Sequence, residues 1–485
     1  MLLIWLFLDT IEDNMENTME KIISLSKRRG FIYQGSEIYG GLAGTWDYGP
    51  LGIELKNNIQ QNWWKRFVHQ RSDIYGVDSA ILMNKDVWVA TGHADTFSDP
   101  LVECSECKKR FRADQLYGGL CPECSGELGE VRQFNMMFKT QVGVLENSAS
   151  TSYLRPETAQ GIFTNFKNII DSFHPNIPFG IAQIGKAFRN EITPRDFLFR
   201  TREFEQMEIE YFTIPHMWEE AFGAWRVDIR EWLQSIGINM DKIHELEVPT
   251  DELAHYSKRT IDFEYDYPFG RKELMGLAYR TDHDLKSHSK MSGVNLLYID
   301  HVNNTRFIPH VVEPSFGVDR LLLALLLDAY TEEDLPAQAG VGDDTKTPED
   351  TRANETRVVM KIHKSIAPTQ IAILPLMKKD GMAEYAKDIF TTLSKYFVCQ
   401  YDEVGAIGRR YRRQDEIGTP YCITIDFDSQ KDNTVTVRER DTTKQKRMPI
   451  DELKEFLNSF KNLPLLDSAN LTYVSYLVKI FGNKI

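Results

Sequence analysis

Gly185-Lys186-Ala187-Phe188-Arg189-Asn190-Glu191, continued by Phe199-Arg200-Thr201-Arg202-Glu203-Phe204-Glu205-Gln206-Met207-Glu208-Ile209-Glu210-Tyr211-Phe212, decides the reading of this chain. The stretch reads as strand, loop, strand. Arginines and carboxylates stand at the strand ends and along one face. Guanidinium forks suit phosphate oxygens and carboxylates suit an amine or a metal, so this hairpin fits a phosphorylated ligand.

Two further strings extend the pattern. In Tyr153-Leu154-Arg155-Pro156-Glu157-Thr158-Ala159-Gln160-Gly161, Pro156 can open a helix with Glu157 in its first turn, favourable to the helix dipole. On these terms Glu157 reads equally well as a helix-start carboxylate and as a ligand. In His310-Val311-Val312-Glu313-Pro314-Ser315-Phe316-Gly317-Val318-Asp319-Arg320, followed by Leu321 to Leu327, a strand meets a glycine turn and then an intensely apolar helix. A cation such as Arg320 in a first helical turn opposes the dipole, which calls for an anion nearby, either a ligand or a carboxylate such as Asp319.

Upstream, Tyr48-Gly49-Pro50-Leu51-Gly52 introduces apolar residues at helical spacing, Ile53 to Gln70, and then the extended run Ser79 to Leu82. Between these and the hairpin stand Cys104-x-x-Cys107 and Cys121-x-x-Cys124, separated by a stretch holding Gly118 and Gly119. Paired knuckles of this spacing let four thiolates converge on one zinc ion, which replaces the core so small a module lacks. Paired disulfides or redox couples are the alternative, although nothing here indicates an oxidising compartment. Cys399 and Cys422 stand alone in apolar surroundings and read as packing residues.

The chain has 485 residues, 42% hydrophobic and 26% charged, which is ordinary for a globular protein and too long for one core. A formal charge of −14 excludes indiscriminate attraction to polyanions, so any RNA contact must use local basic patches. Met1 to Leu8 is apolar but too short to span a bilayer, and it lacks a basic leader and a small-residue cleavage site. No targeting signal is read, no membrane partner is expected, and a cytoplasmic location is the expectation. Met15 and Met19 are plausible alternative starts.

Between about Thr331 and Glu355 the apolar period dissolves into Asp, Glu, Thr, Pro and Ala, as a linker or surface loop does. Beyond it, Thr369 to Leu376 predicts a buried strand, Met382 to Phe397 a helix, and Tyr421 to Asp426 and Thr434 to Arg438 further strands. This alternation indicates a small α/β domain. Within it, Gly408-Arg409-Arg410-Tyr411-Arg412-Arg413-Gln414-Asp415-Glu416 is the densest basic cluster. Arginines interleaved with a tyrosine can meet phosphates and stack on unpaired bases, or can form a helix face paired with Asp415 and Glu416.

The hairpin resembles motif 2 of the class II aminoacyl-tRNA synthetases, the Pro50 helix and following strand resemble motif 1, and the Gly317 to Arg320 turn resembles motif 3. The proline usual after the motif 1 helix is absent. Together with Ser26 to Phe31 and Gly40 to Pro50, the strings resemble the dimeric type of glycyl-tRNA synthetase over about Glu20 to Phe460. The resemblance implies an α+β fold: an antiparallel core flanked by helices, a zinc-knuckle insertion and an α/β anticodon-binding domain. Implied boundaries are an extension at 1–18, a catalytic domain at 19–344 with the insertion at 101–131, a linker at 345–365, an anticodon-binding domain at 366–462 and a tail at 463–485.

It further implies glycine activation by ATP with Mg²⁺, structural Zn²⁺ on Cys104, Cys107, Cys121 and Cys124, tRNA(Gly) as partner, and a homodimer. Arg189 and Arg320 carry the catalytic role by this resemblance. ATP is met by Arg189, Asn190, Glu191, Phe199, Arg200, Thr201, Arg202, Glu203, Phe204, Glu273, Leu274, Gly317, Val318, Asp319 and Arg320. Glycine is met by Arg112, Glu157, Phe204, Glu205, Gln206, Met207, Glu208, Glu313, Pro314, Ser315, Phe316 and Gly317. A silent accessory protein would lose the phosphate arginines or the acids, all of which are in place. A zinc-dependent nucleic-acid-binding module leaves the motif 2 and motif 3 strings unexplained.

Overall fold

The computed structural model describes residues 18–116, 118–144, 150–300, 303–334 and 356–461, with side chains to 457. The predicted tail and nearly all of the predicted N-terminal extension lie outside these residues, as does the first part of the linker.

Seven strands form the main sheet: β1 (Ile74–Gly76), β2 (Phe179–Phe188), β3 (Glu203–Thr213), β4 (Ile243–Glu247), β5 (Arg259–Tyr267), β6 (Gly270–Thr281) and β7 (His310–Gly317). Their order is β4-β5-β6-β7-β3-β2-β1, antiparallel throughout except for the β1–β2 edge pair. β2 and β3 are the predicted hairpin, with Gln206 opposite Gly185 and Glu208 opposite Gln183. Gly185 has a steric reason: a Cβ there would stand 2.2 Å from the Arg155 guanidinium, which is buried and bonded to Lys186 O and Ser79 O.

Side-chain alternation divides the sheet into two faces. Met207, Ile209, Tyr211, Val312 and Phe316 enter the main core, where helices Pro50–Trp64, Trp218–Ser235 and Val318–Ala329 cover the sheet. Phe316 packs edge-on against Trp232 with ring centroids 5.2 Å apart. Leu321, Leu322, Leu323, Leu325, Leu326 and Leu327 are all buried, each worth roughly 1.5 to 3 kcal/mol of apolar transfer for a fully buried leucine. On the opposite face, helix Ala159–Phe173 packs Phe163 and Phe166 over Phe179, Ile181 and Phe212. It covers only one end of that face, and the uncovered end presents Phe204, Gln206, Glu208, Glu313 and Ser315.

The insertion is a three-stranded sheet, Arg110–Arg112, Ser98–Glu103 and Arg132–Asn135, with the cysteine turns at its edge. The C-terminal unit carries a five-stranded mixed sheet with its own core: β8 (Ile371–Pro375), β9 (Cys399–Tyr401), β10 (Tyr421–Ile425), β11 (Thr434–Glu439) and β12 (Gln445–Pro449) in the order β9-β8-β10-β11-β12. β8 pairs in parallel with both β9 and β10, and the other two pairings are antiparallel.

Several elements differ from the sequence expectation. The motif 1 helix is Pro50–Trp64, continued by a wider turn over Lys65–His69, and the strand after it is Ile74–Gly76. The run Ser79 to Leu82 makes only an isolated bridge from Leu82 to Leu154. The helix after Glu157 begins at Ala159 and the helix from Met382 ends at Leu393. Tyr330–Asp334 is a strand paired with Thr356–Met360, and Met360, Ile362 and Ile366 enter the main core. The apolar residues near the end of the predicted linker therefore anchor it. Cys422 is buried as expected, whereas Cys399 on an edge strand is partly exposed. Among the described residues no helix is long and apolar enough to cross a membrane.

Candidate active site

A cleft of about 350 Å³ opens at the uncovered end of the sheet. One end of it is a box of acids. Glu157, Glu208 and Glu313 are each at most 7% exposed. Their positions follow from the sheet: Glu208 on β3 is opposite Ser315 on β7, and Glu313 on β7 is opposite Ala278 on β6. Glu157 comes from the turn before helix Ala159–Phe173.

Each acid has its own donors. Glu208 accepts from Thr158 Oγ1 and, at 2.7 Å, from Ser315 Oγ. Glu157 accepts from Gln160 Nε2 at 2.9 Å and stands 3.4 Å from His93 Nε2. Glu313 accepts from Arg280 Nη1 at 2.9 Å, and the same guanidinium holds Asp284 with two bonds of 2.9 Å and lies 3.8 Å above the Tyr256 ring. Burial works to raise the Glu157 carboxyl, but His93, Arg280 and Gln160 outweigh it and hold it well below the usual range. Burial and the neighbouring Glu157 charge push Glu208 upward. Burial and the charges of Glu208 and Glu157 push Glu313 far upward in spite of Arg280. A box of this kind, electron-rich and short of cations, attracts a compact positive group.

The other end is cationic and aromatic. Arg189 donates from Nε to Pro156 O at 3.1 Å, with its guanidinium 5.4 Å and 5.3 Å from the Phe97 and Phe204 ring centres. Arg320 pairs with Glu273 at 2.9 Å and lies 4.5 Å above the Phe199 ring. Arg200 Nη1 and Glu191 Oε2 are buried without hydrogen bonds, 3.9 Å apart. Burial lowers the Arg200 guanidinium, and Arg112, Arg195 and Arg320 add repulsion. Two uncommitted groups among crowded arginines suit a polyanion with hydrogen-bonding edges. Asp262 also lines the cleft, pushed up to about 7 by burial and the charges of Glu273 and Glu264.

The cleft thus brings together Glu157, Arg189, Glu191, Phe199, Arg200, Thr201, Phe204, Gln206, Glu208, Glu273, Leu274, Glu313, Ser315, Gly317, Asp319 and Arg320. Other expected residues lie outside its wall. Met207, Phe316 and Val318 are in the main core, because their parity along the strand or helix turns them away. Pro314 is buried beside them in sequence. Glu205 pairs with Lys56 at 2.7 Å, and Glu203 pairs with Lys186 at 2.9 Å. Asn190 donates its backbone N–H to Met136 O, and Arg202 donates to Ala43 O and Glu191 O. Arg112 is held by Asp99 at 2.6 Å and Asp114 at 2.8 Å. Asp319 reaches the wall while accepting from Tyr48 OH and the Glu205 N–H.

Sequence reading missed Arg280, Tyr256, Asp262, His93 and Asp284. Arg280 carried a signal, a lone cation ending the apolar run Leu274 to Tyr279. The others come from segments without a motif.

The basic cluster of the C-terminal unit is helix Ile407–Glu416. Arg410 is 2% exposed and donates to Pro375 O, Leu376 O and Asp402 O, so it clamps strand ends together. Tyr411 bonds Thr424 beneath the Arg438 guanidinium, and Arg413 pairs with Asp402 at 2.6 Å. Asp415 is buried between Arg357 and Arg438. The interleaved pattern is therefore partly internal, since one helical face must close the domain; Arg409 faces outward and Arg412 is partly exposed.

The four cysteines of the insertion are free thiols whose sulfurs lie within 4.8 Å of one another. Cys104 Sγ is 3.5 Å from Cys124 Sγ, and Cys107 Sγ is 3.7 Å from Cys121 Sγ. Sulfurs bound tetrahedrally to one zinc stand about 3.8 Å apart, so the set fits that ion. Backbone N–H groups of Cys107 and Glu106 lower the Cys104 thiol to about 7, while the neighbouring sulfurs push Cys107 upward and Cys124 up to about 12, so a first thiolate is favoured and the others would need the ion's charge.

Comparison with known proteins agrees with this architecture. Residues 138–330 match the tRNA synthetase class II core domain (G, H, P, S and T), and residues 370–460 match the anticodon binding domain. The glycine--tRNA ligase of Caldanaerobacter subterraneus subsp. tengcongensis is 50% identical over 469 residues, covering 91% of this chain and 98% of the relative. That of Geobacillus thermodenitrificans is 51% identical over 476 residues, covering 92% and 98%. The Thermobifida fusca glycine--tRNA ligase is 50% identical over 461 residues, covering 90% and 97%. With identity of this order over almost its whole length, on a class II core joined to an anticodon-binding domain, the chain belongs to the glycine--tRNA ligase family.

Proposed function

We propose that this chain activates glycine with ATP to glycyl-adenylate and pyrophosphate, then transfers the glycyl group to the 3′ terminal adenosine of tRNA(Gly). The observation that carries the reading is that Glu157, Glu208, Glu313 and Ser315 line the same cleft as Arg189, Arg200 and Arg320. Glycine offers no side chain to grip. Selection must rest on its ammonium and carboxylate, while larger amino acids are refused by overpacking.

In this reading the acids and Ser315 hold the ammonium, and Arg189 orients the carboxylate toward the α-phosphorus. One carboxylate oxygen forms the new bond to phosphorus as the bond to pyrophosphate breaks. The pentacoordinate transition state gathers negative charge, which fixed guanidinium groups stabilise without reorganisation. Arg200 and Arg320 meet the phosphates, Arg320 taking the outermost, and Glu191, Phe199 and Phe204 enclose the base. No protein nucleophile is required. Mg²⁺ bound with the nucleotide would neutralise phosphate charge, and Glu273 is the carboxylate placed to help hold it. Zn²⁺ on the four cysteines would cross-link the insertion.

The C-terminal unit meets the anticodon arm, with Arg409 and Arg412 as its outward basic groups. A homodimer is proposed on the motif 1 helix and its strand, and a cytoplasmic location on the likeness to the glycine--tRNA ligases. The test is charging of a tRNA(Gly) transcript with labelled glycine in the presence of ATP and Mg²⁺. Glycyl-tRNA is expected; folded protein that charges no tRNA contradicts the proposal.

A further inference from the structure

Behind the acid box stands a carboxyl that the reaction does not use. Glu210 is two residues along β3 from Glu208, so it points to the same face. It is fully buried, and neither of its oxygens has a hydrogen-bond partner. Oxygens of Glu208, Glu210 and Glu313 all lie within 4.8 Å of one another.

The donors of this region are already committed. Thr158 and Ser315 serve Glu208, Gln160 and His93 serve Glu157, and Arg280 serves Glu313 and Asp284. The remaining titratable groups facing the box are His288, bonded to Gln160, and Tyr256 beneath Arg280. Arg155 adds a nearby charge toward Glu208 but is bonded to Lys186 O and Ser79 O, so Arg280 is the only guanidinium that donates to any of the five carboxyls, and Glu210 has no donor at all. An ionised carboxylate sealed away without a single hydrogen bond is among the costliest groups a protein can bury, so it keeps a proton instead. Glu208 and Glu313, whose oxygens lie in the same 4.8 Å neighbourhood, are the acids to which that proton can pass.

We propose that Glu210 is a positioning residue that stores one proton behind the ammonium site, shared with Glu313, and that the ammonium of glycine displaces this proton to solvent. The inference rests on the reading that Glu157, Glu208 and Glu313 hold the glycine ammonium. Proton and ammonium are alternative monovalent cations for the same excess of carboxyls. Binding of one therefore costs the release of the other, and the cluster keeps an unchanged net charge. Glycine binding then weakens as pH falls, because protons compete for the box.

The test is calorimetry of glycine binding to the full chain in buffers of different ionisation enthalpy, for the wild type and for Glu210→Gln. The wild type is expected to release about one proton per glycine at neutral pH. Its glycine KM is expected to rise up to tenfold per pH unit on acidification below the pKa of the shared proton. Glu210→Gln keeps the shape of a neutral acid but has no proton to give, so release and pH slope should both vanish while glycine still binds. A merely structural Glu210 would leave the slope in place. Glycine binding to the wild type without proton release overturns the inference, as does an unchanged release in Glu210→Gln. Should that variant fail to fold, the wild-type proton count decides alone. If glycine does not bind the wild type at all, the reading of the acid box fails and this inference falls with it.

Discussion

Arg280 and Glu313 meet at 2.9 Å on neighbouring strands, both sealed from solvent, and the same guanidinium fastens Asp284 and lies 3.9 Å from Glu157. One cation thus holds the acid box together. Removing it strands several buried carboxyls, and breaking a buried pair in this way typically costs about 3 to 5 kcal/mol. Arg280→Ala should lower the denaturant midpoint accordingly and abolish glycine-dependent exchange. Equilibrium unfolding in urea checks this; a midpoint within error of wild type contradicts it.

Glu208 should behave in the opposite way for stability. Burial and the Glu157 charge raise its carboxyl, so the folded state strains to keep it ionised. Glu208→Ala is expected to leave thermal stability unchanged or higher. A desolvated charged contact is worth roughly 2 to 5 kcal/mol, so kcat/KM for glycine should fall by between about 30-fold and several thousand-fold. Steady-state kinetics beside a melting curve separates the two effects.

Asp262 gives a pH dependence of known sign. Its folded pKa is raised to about 7 by burial and by the charges of Glu273 and Glu264. A raised carboxyl contributes stability that is fully present below the unfolded value, about 3.9, and is lost as pH rises through about 7. Asp262→Asn lacks this dependence. The variant should therefore gain in melting temperature relative to wild type between pH 5 and pH 8. A difference that stays flat over that range rules the assignment out.

The cysteine set predicts about one zinc per chain and, on cobalt substitution, the absorption of a tetrahedral thiolate site. Cys121→Ser should lose most of the metal and loosen the insertion, read as faster proteolysis near 101–131. Full metal content in that variant would show that the ion sits elsewhere.

The parts legible in the sequence were those carried by contiguous strings. The hairpin, Glu157, the Glu313 and Ser315 strand and the Arg320 turn lie in unbroken segments whose local periods set their elements. Period two along β3 separates Gln206 and Glu208 from Met207, and it equally places Glu210 behind the box. Assigning whole runs such as Phe204 to Glu208 to a ligand ignored that alternation, and Glu205 and Met207 face the other way for this reason. Asp262 was not legible because strand pairing, not chain proximity, carries it to the cleft, and Tyr256 was not because it comes from the turn segment before Arg259–Tyr267, which has no period; Arg280 showed only as a lone cation at the end of an apolar run. The basic helix was undecided for another reason. Its charge density left RNA contact and pairing with Asp415 and Glu416 both open, but Arg410 holds strand ends and Asp415 is paired with Arg357 and Arg438 from strands outside the helix.

Amino-acid-dependent ATP–pyrophosphate exchange, run on zinc-replete protein with Mg²⁺ across all twenty amino acids, tests the central claim most directly. Exchange with glycine alone is predicted. Exchange driven by another amino acid, or none from folded protein, would contradict the account.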